Sequence, residues 1–225
     1  MKHRVVSWSI IILLTFLYSG HAYSEESSPG LLALKGTIER VREILSDESL
    51  KRPDRAQERL SLLHAEYVKR FDYKKIVRGI FGIGWGALSG GQQDQFVALF
   101  SKYFSYHNSK DLEFKDVETI QYETTNSFKQ SDYEAEEVKV TTRAKVTGAA
   151  GVDRVFRLYK GREGQWQVQN VIVNNIGLFY GSNPYSYHSQ FAKVIKTSSV
   201  EELLRRLQKF VWQAEGKEGD VLPES

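Results

Sequence analysis

Gly82, Gly84 and Ala87 form a G-x-G-x-x-A run, which in the right setting cradles the pyrophosphate of a dinucleotide. That setting is a strand before the run and a helix after it, inside a βαβ unit. Here the preceding residues place Tyr73, Ile76, Val77 and Ile80 at helical spacing, and no parallel βαβ alternation follows. The run therefore reads as a turn between helices. Beyond residue 21 the histidines are His64, His107 and His188, and each stands without a second histidine at metal-ligand spacing. Tyr187-His188-Ser189 sets a base beside a hydroxyl, but adjacent residues on a helix point apart, which is poor geometry for a nucleophile and its base. His64 reads as a boundary residue on a helix, and His107 as a helix-end residue whose cationic form suits the dipole. The chain has no cysteine, so a thiol nucleophile, a thiolate metal site and a disulfide framework are all excluded. With no G-x-S-x-G elbow, H-E-x-x-H pair or Walker loop either, no residue is singled out as catalytic and none as a metal ligand.

Helices, strands and then helices again must position whatever site exists. Leu31, Leu34, Ile38, Val41 and Leu45 recur in three- and four-residue steps, one face of a helix. Lys51-Arg52-Pro53-Asp54 breaks it, and Ala56, Leu60, Leu63 and Tyr67 mark a second helix. A short third covers 72–81. Ser89 and Gln92 fit a capping box, opening a helix that carries Phe96, Leu99, Phe100, Tyr103 and Phe104. From about residue 113 the period changes to two. Val138, Val140, Thr142, Ala144 and Val146 alternate with charged or polar residues, the pattern of a half-buried strand. Three further strands read at 113–124, 153–160 and 165–174, joined by glycine-bearing turns at 148–151 and 161–164. After a polar loop at 181–186, Phe191, Val194 and Ile195 return to helical spacing. Ser199 and Glu202 then cap a last helix with Leu203, Leu204, Leu207 and Phe210. The expectation is an α+β fold, with a helical layer packed on one face of an antiparallel four-stranded sheet.

Composition narrows the function further. The 225 residues hold 31 basic and 28 acidic side chains, a net charge of +3, without the basic excess expected of a nucleic-acid binder. Aromatics are plentiful, with 4 Trp, 12 Tyr and 12 Phe. Lys2, His3 and Arg4 precede an apolar run, and Gly20-His21-Ala22 supplies small residues at the −3 and −1 positions of a cleavage site. That is the layout of a secretory signal peptide, and the run falls short of the ~20 residues a spanning helix needs. The expected organisation is a cleaved leader at 1–22, a loose arm at 23–30, one domain at 31–212 and a polar tail at 213–225. A cysteine-free exported chain suits an oxidising compartment.

Several motifs, in order, resemble the MlaC family of periplasmic phospholipid carriers, also called toluene-tolerance proteins. Phe71-Asp72-Tyr73 resembles the start of its central helix, and Phe81-Gly82-Ile83-Gly84-Trp85 its Leu-Gly-x-x-Trp. Ser89 to Phe96 matches a Thr/Ser-x-x-Gln helix start followed by Phe. Phe156-Arg157-Leu158-Tyr159 and Gly164-Gln165-Trp166-Gln167-Val168 resemble its Tyr-x-Leu and Gly-x-Trp-x-Val pair. Ile176-Gly177-Leu178 and Tyr187-His188-Ser189-Gln190-Phe191 are similar to its Val-Ser-Leu and Tyr-Arg-x-x-Phe. The departures are Asn170 for the usual Asp, Asn174-Asn175 for Glu-Gly, His188 for Arg, and a longer loop at 181–186.

The resemblance implies an apolar cavity between helices and sheet. It would hold the acyl chains of a phospholipid carried as cargo, with no cofactor. It implies docking to an inner-membrane ABC transporter complex and an outer-membrane lipoprotein complex. Phe71, Ile76, Ile80, Phe81, Trp85, Phe96, Phe100 and Phe104 would line the cavity from the helices. Val140, Leu158, Val171, Val173, Leu178, Tyr187, Phe191 and Ile195 would line it from the sheet and beyond, with Tyr187 and His188 at the mouth. The alternatives are a carrier for another lipid such as a hopanoid, a small exported hydrolase using His188 or His107 as base, and an adaptor with a solid core. The leader carries its own prediction. N-terminal sequencing of the exported protein should begin at Tyr23, and exported material still starting at Met1 would overturn the localisation.

Overall fold

The computed structural model describes residues 28–111, 117–126, 137–146, 152–161 and 163–217. The leader at 1–22, most of the arm, the turn at 148–151 and the tail after 217 lie outside the described residues. So does the start of the first expected strand at 113–116.

Helix α1 runs Pro29–Ser46, with the proline at the first helical positions, where its missing N–H costs nothing. Helix α2 is Ala56–Arg70, α3 Tyr73–Phe81 and α4 Gly90–Asp111. The glycine run at 82–87 is a short 3-10 turn after a helix, not a phosphate loop after a strand. Ser89 and Gln92 close the capping box in both directions: the Gln92 N–H donates to Ser89 Oγ at 3.2 Å and the Ser89 N–H to Gln92 Oε1 at 2.9 Å. Helix α4 continues four residues past His107, so that histidine sits inside the last turns and not at the end. Helix α5, Tyr187–Thr197, is capped by Ser186, and α6, Val200–Ala214, by Ser199.

The strands are β1 Val117–Asn126, β2 Glu137–Val146, β3 Val152–Lys160, β4 Trp166–Val173 and β5 Ile176–Gly177. They form one antiparallel meander in sequence order. The fifth strand is an addition to the expected four. Asn174 and Asn175 both adopt positive φ, 47° and 65°, which is the backbone of a two-residue hairpin turn. Asn tolerates that region better than other side chains, so the chain reverses there and pairs Val173 with Ile176. The side chain also locks the corner, since Asn174 Oδ1 accepts the Asp153 N–H at 3.1 Å.

In β2 and β3 the even-numbered residues face the helices. Val138, Val140, Thr142, Ala144, Phe156 and Leu158 are all buried. In β4 the parity shifts at an irregularity. Arg157 pairs with Asn170 but Leu158 pairs with Val168, so Trp166 and Val168 face inward and then Val171.

Helices and sheet are joined at the α2–α3 junction. Phe71 makes a parallel bridge to Val168, and the Asp72 N–H donates to Val168 O at 3.1 Å. Asp72 Oδ1 caps α3 by accepting the Lys75 N–H at 2.9 Å, while its Oδ2 accepts the Tyr159 hydroxyl. Arg70 donates to Trp166 O from one nitrogen and to Thr37 Oγ1 at 3.0 Å from another, tying α1 into the same joint. Above, Gly30 lies flat against Trp166, where an added Cβ would stand 3.1 Å from the indole. At the far end, Glu215 ties the close of α6 to α4. It accepts from Lys102 Nζ at 2.8 Å and the Tyr106 hydroxyl at 3.1 Å, and Lys217 Nζ adds 2.6 Å.

Two predictions follow from these ties. Asp72→Ala loses a cap and a side-chain hydrogen bond together, and should cost about 1–2 kcal/mol in urea unfolding. Asp72→Asn, which keeps an acceptor for the cap, should cost less. Burial alone would raise the Glu215 carboxyl, but the hydrogen bonds from Lys102, Lys217 and Tyr106 hold it down to about 2, below its ordinary value near 4.5. A depressed carboxyl stabilises the fold above its unfolded pKa and loses that contribution as pH falls. Between about pH 4.5 and 2 the wild type should therefore lose stability faster than Glu215→Gln, read as melting temperature against pH.

Candidate lipid-binding cavity

Between α1 and the sheet lies a partly open, mainly apolar cavity of about 90 Å³. Leu34, Ile38 and Val41 of α1 form its roof, with Tyr67 and Phe71 behind them. Phe104 and Asn108 of α4 close one side. The floor comes from four strands: Ile120, then Thr142 and Ala144, then Arg154 and Phe156, then Val171 and Val173, with Leu178 just beyond. The roof exists because α1 repeats its apolar residues every three or four positions, and the floor because each strand turns alternate residues inward.

The expected lining residues divide among three places, with Trp85 apart from them. Phe71, Phe104, Val171, Val173 and Leu178 wall this cavity. Ile80, Phe81, His188, Phe191 and Ile195 line a separate surface groove of about 580 Å³ between α3, the 3-10 turn, α5 and the start of α6. Ile76, Phe96, Phe100, Val140, Leu158 and Tyr187 are buried in the core beside the cavity. Trp85 is half-buried on the 3-10 turn, its ring centroid 6.0 Å from that of Phe81.

What separates the core group from the cavity is an interlocked aromatic cluster. Phe100 meets Tyr187 edge-on at 5.1 Å and Phe191 at 5.8 Å, and Phe104 meets Phe71 and Phe179 at 5.3 Å each. Phe81 meets Phe96 edge-on at 4.7 Å. Phe179 is fully buried in this cluster and was not among the expected residues. Leu34, Thr37, Ile38, Val41, Tyr67, Asn108, Ile120, Thr142, Ala144, Arg154 and Phe156 also escaped the expected lining. The α1 stripe and the inward parity of β2 were visible signals for Leu34, Ile38, Val41, Thr142 and Ala144.

The histidines are held in structural contacts. His188 Nδ1 lies 2.6 Å from Ile80 O, and a carbonyl only accepts, so Nδ1 carries a proton there. Ser189 Oγ donates to Gly181 O at 3.3 Å, away from His188. His107 stacks on Tyr103 with ring planes 5° apart. His64 Nδ1 stands 3.3 Å from Ser105 Oγ, but that hydroxyl gives its proton to Ser101 O at 2.7 Å and is fully buried within α4. Burial is the main influence lowering the His64 pKa, so the neutral ring suits its place. No pair of nucleophile and base is built by these contacts. Among the described residues no cluster of His, Asp and Glu could hold a metal ion, and no helix is long and apolar enough to cross a membrane.

An α+β frame with an apolar cavity between helices and sheet is the architecture that the resemblance implied. The family model for "MlaC protein" matches residues 35–209. The chain belongs to the MlaC family. A solved structure shares the fold: the phospholipid-binding protein from Ralstonia solanacearum, in complex with a phospholipid. It aligns with a TM-score of 0.63 at 21% identity, over 83% of this chain and 99% of that one. No curated protein matches. Within this MlaC fold, the five expected residues that reach the cavity come from four different elements or their flanks. The site is therefore assembled by tertiary packing and not by any single motif.

Proposed function

We propose that this protein is a periplasmic lipid carrier. It holds the acyl chains of a phospholipid between α1 and the sheet, and passes the lipid between an outer-membrane lipoprotein complex and an inner-membrane ABC transporter complex. The observation that carries this reading is the partly open apolar cavity roofed mainly by aliphatic α1 side chains and floored by the inward faces of four strands. Family membership and the phospholipid held by the Ralstonia protein support it. The export signal read from residues 1–22 supports the compartment. The role is binding, with no bond made or broken.

The energetics suit a carrier. A two-chain lipid has on the order of 30 methylenes, each worth about 0.8 kcal/mol on leaving water. Unaided crossing of an aqueous space is therefore very slow. The cavity's 90 Å³ equals about three waters' share of the liquid, far less than two acyl chains occupy. Loading thus requires α1 to part from the sheet. The contacts broken are mostly between aliphatic groups, and equivalent contacts re-form on the lipid, so the net cost of parting is small.

Two variants test this. Leu178→Arg puts a guanidinium on the cavity wall, where it can reach water at the cavity's edge only by occupying the acyl path. Ala144→Leu fills the space with side chain. Native mass spectrometry of the wild type should show co-purified phospholipid, and both variants should lose it while melting within a few degrees of the wild type. A wild type that never carries lipid would remove the carrier reading. A folded Leu178→Arg that keeps its lipid would remove Leu178 from the wall.

A further inference from the structure

Helices α3 and α5 carry five cations, Lys74, Lys75, Arg78, Lys193 and Lys196, and no carboxylate. All five are exposed, and among the described residues none forms an ion pair. Lys75 has an aromatic partner, its Nζ 3.7 Å from the Tyr159 ring centroid. This is a strong local bias in a chain whose net charge is only +3. Lys74 and Arg78 stand one turn apart on α3, and Lys193 and Lys196 one turn apart on α5, so each pair shares a helix face.

The 3-10 turn that follows α3 puts an apolar residue among these charges. Ile83 is fully exposed at its tip. A Cβ added at Gly82 or Gly84 would meet nothing within 4 Å, so the tip stands clear of the rest of the fold. Two grooves meet at this ridge. Gly82 borders a basic one of about 610 Å³, with Lys75, Arg78 and Arg157. Gly84 borders the apolar one of about 580 Å³, which Lys196 also lines. Each groove holds a single carboxylate. Glu137 in the first accepts from Arg157 Nη2 at 3.4 Å and from Gln169, and Glu201 in the second accepts from Gln92 Nε2 at 3.1 Å. Cations therefore outnumber carboxylates across this surface.

We propose that this face docks the protein on an anionic lipid bilayer, with Ile83 entering the headgroup layer and the cations of α3 and α5 lying over the lipid phosphates. The inference goes beyond transfer between protein complexes and does not depend on what the cavity holds. An apolar tip ringed by basic residues gains twice at such a surface. The tip leaves water, and the cations meet a negative potential. The composition disfavours a protein as the occupant. Four of the five cations are lysines, which are depleted from protein interfaces, and a lysine needs no fixed geometry to lie above a layer of phosphates. Anchors at protein interfaces sit in packed pockets, whereas Ile83 has open space around its turn.

Flotation with vesicles tests this, using the exported protein without its leader. One set of vesicles is phosphatidylcholine alone, and the other contains about 30% phosphatidylglycerol. Extraction of a cargo lipid would leave the protein unfloated, so the readout is docking and not loading. The wild type should bind the anionic vesicles about tenfold or more tightly, since each Lys or Arg near such a surface contributes about fivefold. Raising the salt from about 50 mM to about 500 mM should remove most of that binding. Arg78→Glu on α3 and Lys196→Glu on α5 should each weaken it about tenfold or more. Ile83→Ser should weaken it about threefold or more and leave its salt dependence in place. Lys209→Glu, about two turns along α6 from Glu201, makes the same change in net charge away from this face and should stay within about twofold of the wild type.

Equal binding to the two kinds of vesicle overturns the proposal and leaves the carrier reading untouched. So does binding to neither, which would return the face to an acidic protein partner. A Lys209→Glu as weak as Arg78→Glu overturns it as well, because the attraction would then belong to the whole molecule. A folded Ile83→Ser or Lys196→Glu of unchanged affinity does the same. If Arg78→Glu does not fold, Arg78→Gln must still weaken binding about fivefold, and an unchanged affinity overturns the proposal.

Discussion

Three consecutive residues, Arg70, Phe71 and Asp72, fasten the helical layer to the sheet. Asp72 and Phe71 bond β4 through backbone contacts at Val168, and Arg70 reaches both Trp166 and Thr37 of α1. Backbone bonds between a helix junction and a strand set register as well as distance. One row of β4 side chains must then meet the helices, and the irregularity opposite Arg157 decides which row that is farther along. Asp72 adds stiffness by using both carboxylate oxygens, one on its own helix and one on Tyr159. Beside this joint, where Phe71 itself is part of the wall, α1 and the inward faces of β1–β4 do not close completely, and the cavity lies there.

The interior is divided by chemistry into a part that interlocks and a part that can yield. The aromatic cluster of α3, α4, α5 and Phe179 packs ring edge to ring face, with each such pair worth about 0.5–1.5 kcal/mol beyond its buried area. Flat rings held by several neighbours move only together. The α1 roof and the β4 part of the floor are instead aliphatic, with Leu34, Ile38, Val41, Val171 and Val173, whose contacts are undirected and exchangeable. Rigid and soft regions share Phe104, which lies in the ring cluster and lines the cavity.

Most of the architecture was legible in the sequence because it is written in period and caps. The 138–146 alternation became β2, and the Ser89 and Ser199 signals became true helix starts. The fifth strand was hidden because Asn-Asn is a weaker turn signal than Asn-Gly, and only the observed φ values reveal the reversal. The lining was much less legible. Phe100 and Phe104 lie one turn apart on the same stripe, yet only Phe104 reaches the cavity. A stripe records that a residue faces inward, not what it meets there. Val171 and Val173 of β4 were expected at the lining and do reach it, although strict parity counted from Trp166 would turn Val171 to the other face.

A carrier working by exchange gains nothing from holding cargo more tightly than a bilayer does, since excess affinity would trap the lipid. Its apolar wall should match a membrane interior and no more, which undirected aliphatic contacts achieve without fine shape complementarity. A fold pinned at Phe71 and Asp72, with aliphatic side chains of α1 and the strands over its cavity, would suit such a loose grip on acyl chains.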